Sequence, residues 1–149
     1  MGATPTAKKL FLYSGKASPA LIENIDVHVQ AYGGVSKLKS IAVISTPEPR
    51  MWNQALNYVE NLQDLYGKDK VDIEIVAYGP GIGMLRDDAV VANRVAEAVK
   101  SGISVVACEN TMTAQKLDKT AMNPSVSYVP AGVVQLMNRQ NQGWAYIRP

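Results

Sequence analysis

One thiol is the chain's clearest capacity for covalent chemistry. Cys108 is the sole cysteine of the 149 residues. It closes the run Ile103-Ser104-Val105-Val106-Ala107, and Glu109-Asn110-Thr111-Met112 follows. The run predicts a buried strand, and a short helix is predicted to start near Asn110 or Thr111. A sulfur at that joint lies beside the first backbone N–H groups of the helix, where amide donors and the helix dipole favour an anionic thiolate. Glu109 opposes this, because a neighbouring carboxylate raises a thiol pKa unless it points away. A lone cysteine after a hydrophobic strand is more often a small core residue than a nucleophile, so residue type alone favours burial. A Cys–His dyad is not expected: His28 is the only histidine and lies far away in an N-terminal stretch of ambiguous pattern.

Other motifs offer support rather than chemistry. Gly79-Pro80-Gly81-Ile82-Gly83 follows a predicted strand, but its third glycine comes one residue too early for a dinucleotide fingerprint. Met84-Leu85-Arg86 then delays the next helix. The loop reads instead as a close backbone approach to something nearby, such as the cysteine loop, and as one wall of a small pocket. Pro130-Ala131-Gly132 opens the helix after a later strand and is expected to share the same sheet edge. The pair Asp87 and Asp88 reads as helix caps and not as a catalytic dyad. Trp52 and Trp144 read as core or interface anchors. No metal-ligand spacing occurs anywhere in the sequence.

The elements that must position Cys108 alternate from residue 40 onward. Strands are predicted at 41–44, 71–78, 103–107, 126–129 and 144–147. Between the first two, Trp52, Ala55, Leu56, Val59, Leu62 and Tyr66 recur at helical spacing after Pro47 and Pro49, and Gly67 ends the helix. Val91, Val95, Ala98 and Val99 mark a second helix stopped by Gly102. Val133, Val134 and Met137 mark another, ending at Gly143. Strands separated by helices imply a parallel sheet with helices on both faces, in an order that spacing cannot supply. Residues 1–36 fit this less well and are read as an N-terminal extension or arm on a domain spanning 37–149. Lys9 to Tyr13 suggests a strand. Ile25, Val27, Val29 and Ala31 suggest another, although Ile22, Ile25, Val29 and Tyr32 also fit a helical face.

Bulk properties narrow the function classes. Hydrophobic residues make up 47% and charged residues 19%, as in an ordinary soluble globular protein. A net charge of +2 with no Lys/Arg cluster argues against nucleic acid as a partner. Residues 1–40 carry five lysines against Glu23 and Asp26, most simply a solvated basic arm. One cysteine rules out an internal disulfide and fits a reducing compartment. No apolar run is long enough for a signal-peptide core or a membrane span, so a cytoplasmic location without membrane partners is expected.

Several separated stretches, in order, carry a resemblance. They are Trp52-Asn53-Gln54-Ala55-Leu56-Asn57, Ala77-Tyr78-Gly79-Pro80-Gly81-Ile82-Gly83-Met84-Leu85, Arg94-Val95, Ala107-Cys108-Glu109-Asn110-Thr111-Met112, Val129-Pro130-Ala131-Gly132-Val133-Val134 and Gly143-Trp144-Ala145-Tyr146-Ile147. Together they resemble the DsrE/DsrF-like family over residues 38–149, with the best motif agreement to stand-alone, mostly uncharacterised members. The resemblance implies a three-layer α/β/α domain with a five-stranded parallel sheet, and homo-oligomers, commonly trimers or hexamers. It also implies sulfur relay, with sulfur held as a persulfide on a cysteine at the position of Cys108, and no cofactor. That reverses the preference for a merely structural thiol. Cys108 becomes the expected catalytic residue, with Asn110 and Thr111 as its nearest supports. Gly79, Pro80, Gly81, Met84, Pro130, Ala131 and Gly132 are the expected pocket, and sulfur donors and acceptors, proteins or small sulfane sulfur compounds, the partners. The alternative is a non-catalytic oligomeric module of the same fold that binds a small ligand or a protein.

Overall fold

The structure, a computed structural model, describes residues 37–149. The strand and arm assignments made for residues 1–36 lie outside it. Five parallel strands form one sheet: β1 (Leu38–Ile44), β2 (Val71–Ala77), β3 (Ser104–Cys108), β4 (Ser127–Val129) and β5 (Ala145–Ile147). Their order is β4-β3-β2-β1-β5. The second half of β1 is a continuous apolar run because both faces of the sheet are covered there; Ile41, Ala42, Val43 and Ile44 are all buried.

Helices α1 (Pro49–Tyr66), α2 (Ala92–Lys100), α3 (Glu109–Ala114) and α4 (Gly132–Asn141) make the crossovers. The first three connections each step one strand in the same direction, and the fourth returns past β1 to place β5. With right-handed crossovers, that reversal sends α4 to the opposite face from the other helices. The core divides accordingly. One cluster joins Trp52, Leu56 and Val59 of α1, Val95 of α2 and Met112 of α3 to Ala42, Ile44, Ile75, Val105 and Ala107. The smaller one sets Leu136 of α4 against Ile41, Val43, Val76 and Val106. The α/β class and five-stranded parallel sheet thus follow the sequence pattern, while among the described residues α4 is the one helix on the second face.

Most element ends have a local cause. Pro49 opens α1, where its missing N–H costs nothing, and Gly67 at φ +89° ends it. Trp52 is buried and its indole N–H donates to the Thr46 carbonyl at 2.7 Å, as a core anchor should. The aspartate caps are corrected. The residue preceding α2 is Val91, with no side-chain cap. Asp88 instead pairs with Arg86 at 3.0 Å. The Asp87 N–H donates to the Ala121 carbonyl at 3.0 Å, and Arg86 bridges Met122, which keeps this stretch from coiling until it has passed Val91. The third strand also runs one residue further than expected, so Cys108 is its last residue. No helix among the described residues is long and apolar enough to cross a membrane.

Candidate functional site

The sheet order places Cys108 at a special point. The outgoing connections of neighbouring strands β3 and β4 leave toward opposite faces, one into α3 and the other into α4. Open α/β sheets form their ligand crevice at such a reversal, outside the carboxyl ends of the strands. Cys108 ends β3, paired in register with Val129 at the end of β4. Side chains alternate along a strand. Ala107 belongs to the larger cluster and Val106 to the smaller, so the Cys108 side chain turns to the α4 side.

Donors converge on the sulfur there. Cys108 is the N-cap of α3, and the Thr111 N–H donates to Sγ at 3.5 Å. Burial pushes the thiol pKa up. The Thr111 hydroxyl and the N–H groups of Gly132, Thr111 and Asn110 oppose burial and together hold Cys108 below its usual range. The Thr111 hydroxyl is itself oriented: the Gly79 N–H donates to Thr111 Oγ1 at 2.9 Å, which leaves the hydroxyl proton for sulfur. Gly79 has φ +54°, a left-handed conformation that glycine adopts without strain, and its carbonyl accepts from Gln115 Nε2 at 3.1 Å. The Asn110 N–H also donates to the Pro130 carbonyl at 3.1 Å, tying the α3 start to the loop before α4. Glu109, the anticipated opponent, forms an ion pair with Lys119 at 3.4 Å.

The expected site residues therefore sort themselves. Thr111, Gly79, Pro130 and Gly132 come together around Cys108. Asn110 contributes its backbone N–H, while the residue is exposed. Ala131 is the N-cap of α4 without a side-chain bond, and Pro80 is exposed. Gly81 and Met84 are not walls of an open pocket. Residues Gly79–Leu85 coil as a 3-10 helix that buries Gly81, Ile82, Met84 and Leu85. Met84, with 0% exposure, belongs to the larger core. The sulfur is also less open than a reactive thiol was expected to be, with Cys108 only 5% exposed. Donors from both crevice loops must pack closely to reach one atom, and that closeness buries it.

Sequence reasoning missed a polar cluster on the same face. Glu74 of β2, 1% exposed, accepts from Gln135 Nε2 at 2.7 Å and from Arg139 Nη2 at 2.8 Å. Its signal was present: Asp72 and Glu74 occupy alternate positions in an otherwise apolar strand, on one face. Tyr78 was missed too. It follows Ala77, the register partner of Ala107, on the same face as Val76, and it packs against Gly132. Among the described residues no group of three or more His, Cys, Asp or Glu side chains could hold a metal ion.

Comparison with known proteins gives two kinds of match. The model of the DsrE/DsrF-like family matches residues 39–149. A solved protein of unknown function from Methanobacterium thermoautotrophicum, MTH1491, is 32% identical with a TM-score of 0.72, covering 76% of this chain and 100% of that one. Another of unknown function, BT1422 from Bacteroides thetaiotaomicron, is 18% identical with a TM-score of 0.62, covering 74% and 94%, a likeness of fold. Among curated proteins, 38 residues are 71% identical to the ribosome-recycling factor of Akkermansia muciniphila, 26% of this chain and 20% of that protein. The same length is 53% identical to the ribosome-recycling factor of Roseiflexus castenholzii, again 20% of that protein. The chain thus spans about a fifth of the length of the curated relatives it matches.

Proposed function

Because the chain belongs to the DsrE/DsrF-like family, which is generally linked to sulfur relay, we propose that it carries sulfane sulfur as a persulfide on Cys108 and passes it to an acceptor thiol. The observation that carries this reading is the seat of one sulfur: Cys108 ends β3, caps α3 and accepts from the Thr111 N–H at 3.5 Å, and the donors around it hold the thiol below its usual range. A core cysteine needs none of them.

The chemistry balances without an oxidant. The Cys108 thiolate attacks the terminal sulfur of a donor persulfide R–S–SH. The Sγ–S bond forms as the donor S–S bond breaks, and R–S⁻ leaves. An acceptor thiolate then attacks the terminal sulfur of Cys108–S–SH, and Cys108 departs as thiolate. A lowered pKa raises the attacking fraction in the first step and makes Cys108 a better leaving group in the second. Donors and acceptors are small sulfane sulfur compounds or proteins bearing a thiol, and a reducing cytoplasm suits a carrier that must keep its one thiol free.

The second reading, a non-catalytic module for a ligand or protein, is favoured by the 5% exposure of Cys108. Incubation with a low-molecular-weight persulfide, followed by intact mass measurement, separates the two. The carrier gains one sulfur atom per chain, removable by a thiol reductant, and Cys108→Ser gains none. A wild-type protein that stays unmodified, or a Cys108→Ser protein that is modified equally, would falsify the carrier.

A further inference from the structure

We propose that Glu74 and Arg139 are positioning residues for Cys108: their ion pair seats α4 on the sheet and so fixes its first turn beside the thiol, where the Asn110 N–H is tied to the Pro130 carbonyl just ahead of that turn. The inference rests on Cys108 working as a thiolate, but not on what it carries.

Ahead of α4 the Asn110 N–H holds the Pro130 carbonyl, but along the helix itself few side chains reach the sheet. Its N-cap, Ala131, supplies no side-chain bond. Of its large apolar residues only Leu136 is buried, while Val133, Val134 and Met137 point to solvent. Gly132, Gln135, Leu136 and Arg139 fall at i, i+3, i+4 and i+7, a single stripe facing the sheet. Two members of that stripe, Gln135 and Arg139, converge on Glu74. Glu74 Oε1 accepts from Gln135 Nε2 at 2.7 Å and Arg139 Nε at 3.2 Å. Its Oε2 accepts from Arg139 Nη2 at 2.8 Å and Ser104 Oγ at 3.2 Å. The forked guanidinium fixes direction as well as distance, and it lies 4.5 Å from the centre of the Trp144 ring, which closes its outer side.

The other end of the stripe tolerates little movement. A Cβ on Gly132 would lie 3.1 Å from Tyr78 Cβ and 3.3 Å from Val76 Cγ1, so the helix start already rests on the sheet. A rigid helix carries a tilt at Arg139 to Gly132, about 10 Å away along its axis. Buried ion pairs often add little net stability compared with apolar substitutes, and their better-attested use is to fix one arrangement among several. Here the arrangement fixed is the one that keeps Gly132 and the start of α4 against Val76 and Tyr78, on the side of the sheet to which Cys108 turns. Of the charged groups on the elements around the thiol, Glu109 of α3 pairs with Lys119, and Glu74 and Asp72 of β2 face Arg139 of α4. The pair therefore acts by placement, with its charges matched locally.

The test measures the rate of Cys108 alkylation by iodoacetamide against pH in the full chain, alongside melting curves. Arg139→Lys keeps the charge and loses the fork; a double variant, Glu74→Met with Arg139→Met, removes the pair while keeping the site apolar and filled. Both are expected to raise the alkylation midpoint by about half a pH unit, and at least one to melt like wild type. Thr111→Val serves as the control that raises the midpoint without touching the pair. If Thr111→Val shifts the midpoint and neither pair variant does, the positioning role is overturned while the thiolate reading stands. If the wild-type thiol itself titrates like free cysteine, the thiolate reading falls and the positioning role with it. Should the double variant fail to fold, Arg139→Lys decides.

Discussion

Thr111 serves the thiol twice, through its N–H and through its hydroxyl. The two donors differ in how they are held. The N–H is fixed by the α3 turn, whereas the hydroxyl depends on Gly79, whose N–H occupies one lone pair of Oγ1. The consequence reaches stability. The folded state lowers the thiol pKa from its ordinary value, so folding favours the thiolate. The stabilisation is fully present above that ordinary value and is lost as pH falls through the lower, folded-state value. Urea unfolding of wild type and Cys108→Ser across pH should therefore diverge. The wild-type advantage is expected to grow as pH rises through that window, by about 1.4 kcal/mol for each unit of lowering. Parallel stability curves would mean that the donors do not act on a thiolate. Much of this residue-level arrangement was legible in the sequence, because caps and helix starts are local: Cys108 at the end of a strand and Thr111 three residues on define the turn. The Gly132 donor was not, since its distance from Cys108 depends on which strands are neighbours.

At the scale of elements, the segment after β2 shows why glycines of one motif are not equivalent. Gly81 packs beneath β1, where an added Cβ would lie 2.2 Å from the Ile44 carbonyl oxygen, a backbone atom that cannot rotate away. Gly83 faces the edge of the Trp52 ring, with the nearest atom at 3.4 Å, an ordinary contact. Gly81→Ala is expected to destabilise the protein by about 3 kcal/mol, as overpacking of a filled site does. Gly83→Ala should cost less than about 1 kcal/mol. Denaturant midpoints of the two variants decide this, and equal losses would contradict the packing described. The sequence reading anticipated a tight loop and a close backbone approach, and both are present. It took Met84 for a pocket wall because periodicity cannot show a 3-10 turn driving its side chain into the core. The Asp87 and Asp88 caps failed for a related reason: the Ala121 carbonyl and the Arg86–Met122 bridge reach that stretch from a distant part of the chain.

For the whole molecule, one reversal of chain direction across the sheet sets both the site and the surface. It places Cys108 where the crossovers from β3 and β4 part, and it leaves α4 as the sole helix of its face among the described residues. Five strands and their helices were legible as alternating periods, whereas the order β4-β3-β2-β1-β5 was not, since each crossover is compatible with several neighbours. The outer side of α4 then carries Val133, Val134 and Met137 with 54%, 53% and 59% exposure, a run of apolar side chains directly after the Gly132 that meets the sulfur. Apolar surface gathered on one helix face marks an interaction site more often than a free surface. A homo-oligomer, a trimer or hexamer, is the occupant we expect, with α4 in the contact. Val134→Glu with Met137→Glu places two carboxylates on that face without touching Leu136, Gln135 or Arg139, which seat the helix. Light scattering coupled to size exclusion should show the wild type at a multiple of the chain mass and the variant at the mass of one chain, still folded by circular dichroism. A wild type that is monomeric at all concentrations would leave α4 free to receive a different protein. A variant that stays assembled would place the subunit contact elsewhere on the surface.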